Sequence, residues 1–147
     1  MSWQTLFADQ KIKTHFTSKR ELDDLREIVE RDLRDAAIPG LSTDRRFATA
    51  YNAALQTSTM AVACSGYRVS GVGHHIATFE AAELALGPAS AQSMAYFDAC
   101  RRKRTSVDYD RVLDVTGGFW HLAGYLDNNH EHTIKQQSYD RFIVRRH

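Results

Sequence analysis

The stretch that decides the fold is Ser18-Lys19-Arg20-Glu21-Leu22-Asp23-Asp24-Leu25-Arg26-Glu27-Ile28-Val29-Glu30-Arg31-Asp32-Leu33-Arg34-Asp35-Ala36. It opens with a capping box: the Ser18 hydroxyl is placed to accept from the third helical amide, and Glu21 can reach back to the cap. Leu22, Leu25, Val29, Leu33 and Ala36 then recur at three- and four-residue spacing, which sets them on one face of an α-helix. The interleaved Asp, Glu and Arg side chains read as its solvated face. Pro39-Gly40 stops the helix.

Working outward, a second helix is expected from about Thr43 to Tyr67. Its stripe is Phe47, Ala50, Tyr51, Ala54, Ser58, Ala61 and Ser65. Small side chains let helix backbones approach closely, so this reads as a central helix with neighbours on more than one side. Thr57-Ser58-Thr59 is a place where it could bend. Gly71-Val72-Gly73 makes the next break, and Ile76, Phe79, Ala82 and Leu86 trace a third, amphipathic helix that Gly87-Pro88 ends. Pro88 can open the following helix, where its missing N–H is harmless. Ala91, Met94 and Phe97 supply that helix's buried face, and Arg101 to Arg104 form its end. Short connections between such helices imply an all-α, up-and-down bundle of four to five helices.

The pattern weakens after Tyr109. Arg111 to Val115 is a possible further turn, Gly117-Gly118 interrupts it, and Ile134 to Val144 is compatible with helix or strand. No internal repeat or linker divides the chain. We therefore expect a single domain over 1–147, with its core at about 18–109 and a C-terminal region, 110–147, whose pattern assigns no element.

The 147 residues suffice for one core. Nineteen basic and eighteen acidic residues give a net charge of +1, so global charge selects no partner. Two cysteines, Cys64 and Cys100, both inside helical stretches, do not suggest a disulfide framework. Residues 1–14 show no secretory signal and no apolar run is long enough to span a membrane, so a soluble cytoplasmic protein without membrane association is expected.

One local cluster stands out. Arg101, Arg102, Lys103, Arg104 and Arg111 place five cations within eleven residues, against Asp108 and Asp110. Successive helical residues are rotated by about 100°, so the run does not share one face, although Arg101 and Arg104 do. Guanidinium groups there suit bidentate phosphate recognition. The same run also has a structural reading, as cations favoured at a helix C-terminus by the dipole.

Thr105, Ser106, Asp108 and Tyr109 bring hydroxyls and a carboxylate to this helix end. Metal-free phosphodiester cleavage needs a cation against the phosphate, a role open to Arg104, and a group that moves protons. No histidine lies between His75 and His121, and a phenol with a pKa near about 10 makes Tyr109 a weak base. Arg104, Asp108 and Tyr109 are the catalytic candidates; Arg101, Arg104, Thr105 and Tyr109 are the nucleotide- or RNA-binding candidates.

The seven histidines show no metal-ligand spacing. His74 and His75 are adjacent and point apart on a helix, and His130 and His132 would share a face only on a strand. No metal and no cofactor are expected. Gly71-Val72-Gly73 lacks the preceding strand and third glycine of a dinucleotide fingerprint, and no hydrolase motif is present.

Several segments, taken in order, carry a resemblance. They are Asp44-Arg45-Arg46-Phe47-Ala48-Thr49-Ala50-Tyr51-Asn52-Ala53-Ala54-Leu55, Gly66-Tyr67-Arg68, Gly73-His74-His75, Thr78-Phe79-Glu80, Phe97-Asp98, and Arg101-Arg102-Lys103-Arg104 before Tyr109. Over roughly Ser18 to Tyr109 this series resembles the HEPN superfamily of helical domains, in its small stand-alone prokaryotic branch. The resemblance implies a four- or five-helix bundle that commonly dimerises. Its members include metal-independent RNases of toxin–antitoxin and defence systems, and nucleotide- or RNA-binding proteins without catalysis.

Active members carry an Arg, usually followed by a polar residue, with a His four to six positions beyond. Arg104 matches the Arg, Thr105 the polar residue, and Tyr109 stands where the His of the shorter spacing would be. The family's RNase chemistry therefore does not transfer directly, while Tyr109 keeps the ability to stack on a base. The tail also lacks the family's amphipathic final helix.

The resulting expectations are ordered. First is a non-catalytic HEPN-like module binding nucleotide, RNA or a partner such as a cognate nucleotidyltransferase or antitoxin, as a homodimer. Second is a helical protein-interaction module with no nucleic-acid role. Third is a metal-independent endoribonuclease using Arg104 with Asp108, Tyr109 or a distant histidine such as His121.

Overall fold

The computed structural model describes residues 1–104, Arg104 by its backbone alone. The chain is mostly α-helical. In order, the described elements are α1 (Trp3–Ala8), β1 (Ile12–Thr14), α2 (Lys19–Ala36), α3 (Thr43–Cys64), β2 (Tyr67–Val69), α4 (His74–Leu86), a 3₁₀ turn (Pro88–Ser90) and α5 (Ala91–Arg104).

The capping box forms at α2. Ser18 Oγ accepts from the Glu21 amide at 3.1 Å, and the Glu21 carboxylate accepts from the Ser18 amide. Leu22 and Ala36 are buried, and Val29 and Leu33 pack against the core. The charged residues of α2 are not all solvated, however. Asp32 is 5% exposed, between α2 and α3. Arg31 Nε and Nη2 donate to its Oδ1 at 3.1 and 2.8 Å, and Asn52 Nδ2 donates to its Oδ2. Burying a carboxylate is tolerable here because both oxygens are hydrogen-bonded and one faces a guanidinium.

Helix α3 is the central element, touching α2, α4, α5 and β2. Phe47, Ala50, Tyr51, Ala54, Ser58 and Ala61 are all buried, as the small-residue stripe requires. The Thr57, Ser58 and Thr59 hydroxyls donate to the carbonyls of Ala53, Ala54 and Leu55 at 2.8–2.9 Å. This satisfies buried hydroxyls inside the helix, which continues unbroken to Cys64.

The helix ends earlier than the expected Tyr67. Gly66 takes a left-handed φ of +87°, a conformation that stops the helix and suits glycine. Tyr67–Val69 instead pairs antiparallel with Ile12–Thr14 in the register Ile12↔Val69, Lys13↔Arg68, Thr14↔Tyr67. The segment before Ser18 is therefore structured. Leu6 and Ile12 are core residues, Trp3 stacks on Tyr67 with centroids 4.7 Å apart, and Lys11 pairs with Glu80 at 3.2 Å. The core thus begins well before residue 18.

Helix α4 is buried on several sides through Ala77, Thr78, Phe79, Ala81 and Ala82, rather than along one stripe. Pro88 opens the 3₁₀ turn that leads into α5, whose Met94, Phe97 and Cys100 are buried. Short connections join α2 to α3 and α4 to α5. Between α3 and α4 the route is longer. Tyr51, well before the end of α3, meets His75 at the start of α4, so β2 carries the chain back along α3. The region expected at 110–147 lies outside the described residues.

Candidate functional site

Within α5 the cations Arg101, Arg102, Lys103 and Arg104 share the helix with one acidic residue, Asp98. Asp98 lies one turn back and draws in two of them. Arg101 Nε donates to its Oδ1 at 2.7 Å, and Arg102 Nη1 donates to its Oδ2. One carboxylate thus orients two guanidinium groups, which a lysine ammonium could not match in planarity. Arg101 is half-buried, with its side chain 29% exposed, whereas Arg102 and Lys103 are exposed.

Spacing alone paired Arg101 with Arg104. Among the described side chains, Arg101 and Arg102 are the ones brought together, through their common bond to Asp98. Thr105, Asp108, Tyr109 and His121 lie outside the described residues.

Buried Cys100 sits among these cations. Burial pushes its thiol pKa up, against the opposing influence of a hydrogen bond from Tyr96 and the nearby Lys103 charge. The thiol form is favoured, and the sulfur is a poor nucleophile. Neither Cys64 nor Cys100 is in a disulfide.

The adjacent histidines diverge as their helical positions dictate. His74 is exposed and its Nδ1 lies 2.7 Å from the Gly71 carbonyl. His75 is half-buried, and its Nδ1 lies 3.1 Å from the hydroxyl of Tyr51, itself only 1% exposed. The Tyr51 ring in turn meets Phe79 edge-on at 6.1 Å, and Phe79 meets Phe97 at 5.8 Å. Sequence reasoning passed over this pair. The available signal was the four-residue step from His75 to inward-facing Phe79, which puts both on one helix face.

Among the described residues, no three His, Cys, Asp or Glu side chains are grouped as metal ligands. None of the described helices is long and apolar enough to cross a membrane.

No family model matches the chain, and no curated protein or solved structure is significantly similar to it. Function must therefore be argued from the fold and from these side chains.

Proposed function

We propose that the chain is a HEPN-like helical module that binds the phosphates of RNA or a nucleotide, without catalysis, at the basic turn of α5. The observation that carries this reading is the arrangement around Asp98. Four successive cations share α5 with a single carboxylate, and that carboxylate orients two of them. Guanidinium groups fixed in this way suit phosphate oxygens, and exposed Lys103 adds long-range attraction.

The ordered motifs that resemble HEPN domains support the same reading, and Tyr109 in place of the family's histidine favours binding over cleavage. A toxin–antitoxin or defence setting, a cognate nucleotidyltransferase or antitoxin partner, and a homodimer belong to this proposal. Metal-independent RNA cleavage through Arg104, with Asp108 or Tyr109, is the alternative. Incubation with labelled RNA would reveal it by cleavage that Arg104→Ala abolishes.

The test of the binding reading is fluorescence anisotropy of a labelled single-stranded oligoribonucleotide and a labelled nucleotide at low salt. The intact chain should bind one of them. A variant carrying Arg101→Ala, Arg102→Ala and Lys103→Ala should not.

A separate observation favours a protein-interaction reading. A cavity of about 610 Å³ lies beside α2, where Asp24, Glu27, Ile28, Glu30, Arg31 and Arg34 line it. Its mixed charges suit a polar protein surface better than RNA. Glu27→Lys with Glu30→Lys should weaken a protein partner and leave RNA affinity intact or raised.

A further inference from the structure

The two-stranded sheet sets two cations opposite each other. The register pairs Lys13 of β1 with Arg68 of β2. Two residues to either side, the Ser70 amide donates to the Lys11 carbonyl at 2.8 Å and the His15 amide to the Gly66 carbonyl at 2.9 Å. Hydrogen-bonded pairs alternate along an antiparallel ladder, so Lys13 and Arg68 are themselves such a pair, with Cα atoms about 5.5 Å apart. Their side chains stand on one face of the ribbon. The other face belongs to the core, since Ile12 is 3% exposed and Val69 packs on the buried cluster. Lys13 and Arg68 therefore point away from it, and both are exposed.

Among the described residues neither cation is in an ion pair. Lys11 and His15, two places before and after Lys13, are engaged with Glu80 and Glu21 at 3.2 and 2.8 Å. Like charges directly opposite in a sheet are destabilising. A lysine on an edge strand discourages pairing with another chain, but that role does not call for an arginine across from it. The platform is also fixed before any ligand arrives: Ile12 is buried, and Tyr67, next to Arg68, stacks on Trp3 at 4.7 Å. Two cations held at one place on a rigid ribbon suit a compact anion of matching charge. A phosphate monoester carries about −1.5 to −2 at neutral pH, whereas a carboxylate or an internal phosphodiester carries a single charge. The guanidinium can take two of its oxygens and the ammonium a third.

From this we infer that Lys13 and Arg68 form a clamp for a terminal phosphate, at an end of an RNA strand or on a free nucleotide. The ligand class rests on the proposed nucleotide- or RNA-binding role, and the clamp is a second site, on the sheet, beside the α5 basic turn.

The experiment compares anisotropy of one labelled oligoribonucleotide carrying a phosphate at its 5′ end, at its 3′ end or at neither. In a parallel arm, NMR of the full chain follows Lys13 and Arg68 as a nucleoside or its monophosphate is added. A terminal phosphate should raise affinity about tenfold, the value of a hydrogen bond between charged groups. Lys13→Gln with Arg68→Gln should erase that gain. Arg20→Gln, which removes an exposed cation from α2, should keep it. Both clamp positions are exposed, so the variants retain the core. The monophosphate should move the Lys13 and Arg68 signals, and the nucleoside should leave them in place.

Equal affinity with and without the terminal phosphate, together with unmoved Lys13 and Arg68 signals, would overturn this inference and leave the basic-turn reading standing wherever RNA still binds. A gain that survives the double replacement would overturn it as well. Signals moved by the monophosphate in a chain with no affinity for the strand would support the clamp and remove the basic-turn reading.

Discussion

Asn52 of α3 donates a hydrogen bond to Asp32 of α2 across the helix interface, on the carboxylate oxygen opposite the one held by Arg31. A carboxylate 5% exposed survives there because both of its oxygens are satisfied. Removing one partner leaves the buried oxygen short of a donor. Asn52→Ala should therefore destabilise the fold by about 1–3 kcal/mol, read as a lower midpoint in urea denaturation. An unchanged midpoint would mean that the contact contributes nothing.

The cap of α2 gives a pH-dependent prediction. Burial opposes charge on Glu21, but hydrogen bonds from Thr17 and His15, the His15 charge and the Ser18 amide together outweigh it. They hold the Glu21 pKa below its ordinary value of 4.5. A folded-state pKa below the unfolded one contributes stability above about pH 4.5 that is lost as pH falls through the folded value. The half-exposed position keeps the effect small. Urea midpoints across that acid range should fall less steeply for Glu21→Gln than for the unaltered chain. At neutral pH, Ser18→Ala should cost about 1 kcal/mol through loss of the cap.

Phe97 is 1% exposed and packs on Phe79 and Tyr96. Truncation to Ala should cost about 3–5 kcal/mol, the usual range for a buried aromatic. Thermal or urea unfolding measures this directly, and a cost below about 1 kcal/mol would place Phe97 outside the core.

Cys100 should resist thiol reagents in the folded chain, since burial both shields the sulfur and raises its pKa. In a Cys64→Ser background, labelling should be slow in native buffer and rapid in denaturant. Equal rates in both would contradict the packing of α5.

Much of this architecture is legible along the chain, and the omissions have physical causes. The Ser18 cap and the Leu22 to Ala36 spacing are local signals, and local hydrogen bonds realise them. The β1–β2 pairing joins residues more than fifty positions apart, and three-residue strands carry too little alternation to announce themselves. Residue type alone assigns Asp32 to solvent. Its position, three beyond Val29 and four before Ala36, placed it on the inner stripe all along. His75 was obscured in the same way, because its chemistry drew attention to metal spacing and away from its register with Phe79. The basic turn was visible as composition, but Asp98's hold on Arg101 and Arg102 emerges only when side chains are placed.

The central claim is that the α5 basic turn binds a phosphate-bearing strand, and the salt dependence of oligoribonucleotide affinity tests it most directly. We predict measurable binding at low salt and a linear fall of log affinity with log salt, with a slope of about −0.7 for each phosphate neutralised on a single strand. Replacing Arg101, Arg102 and Lys103 by Ala should flatten that slope and weaken binding. The contradicting result is either no affinity at low salt, or an affinity and slope that the triple replacement leaves unchanged.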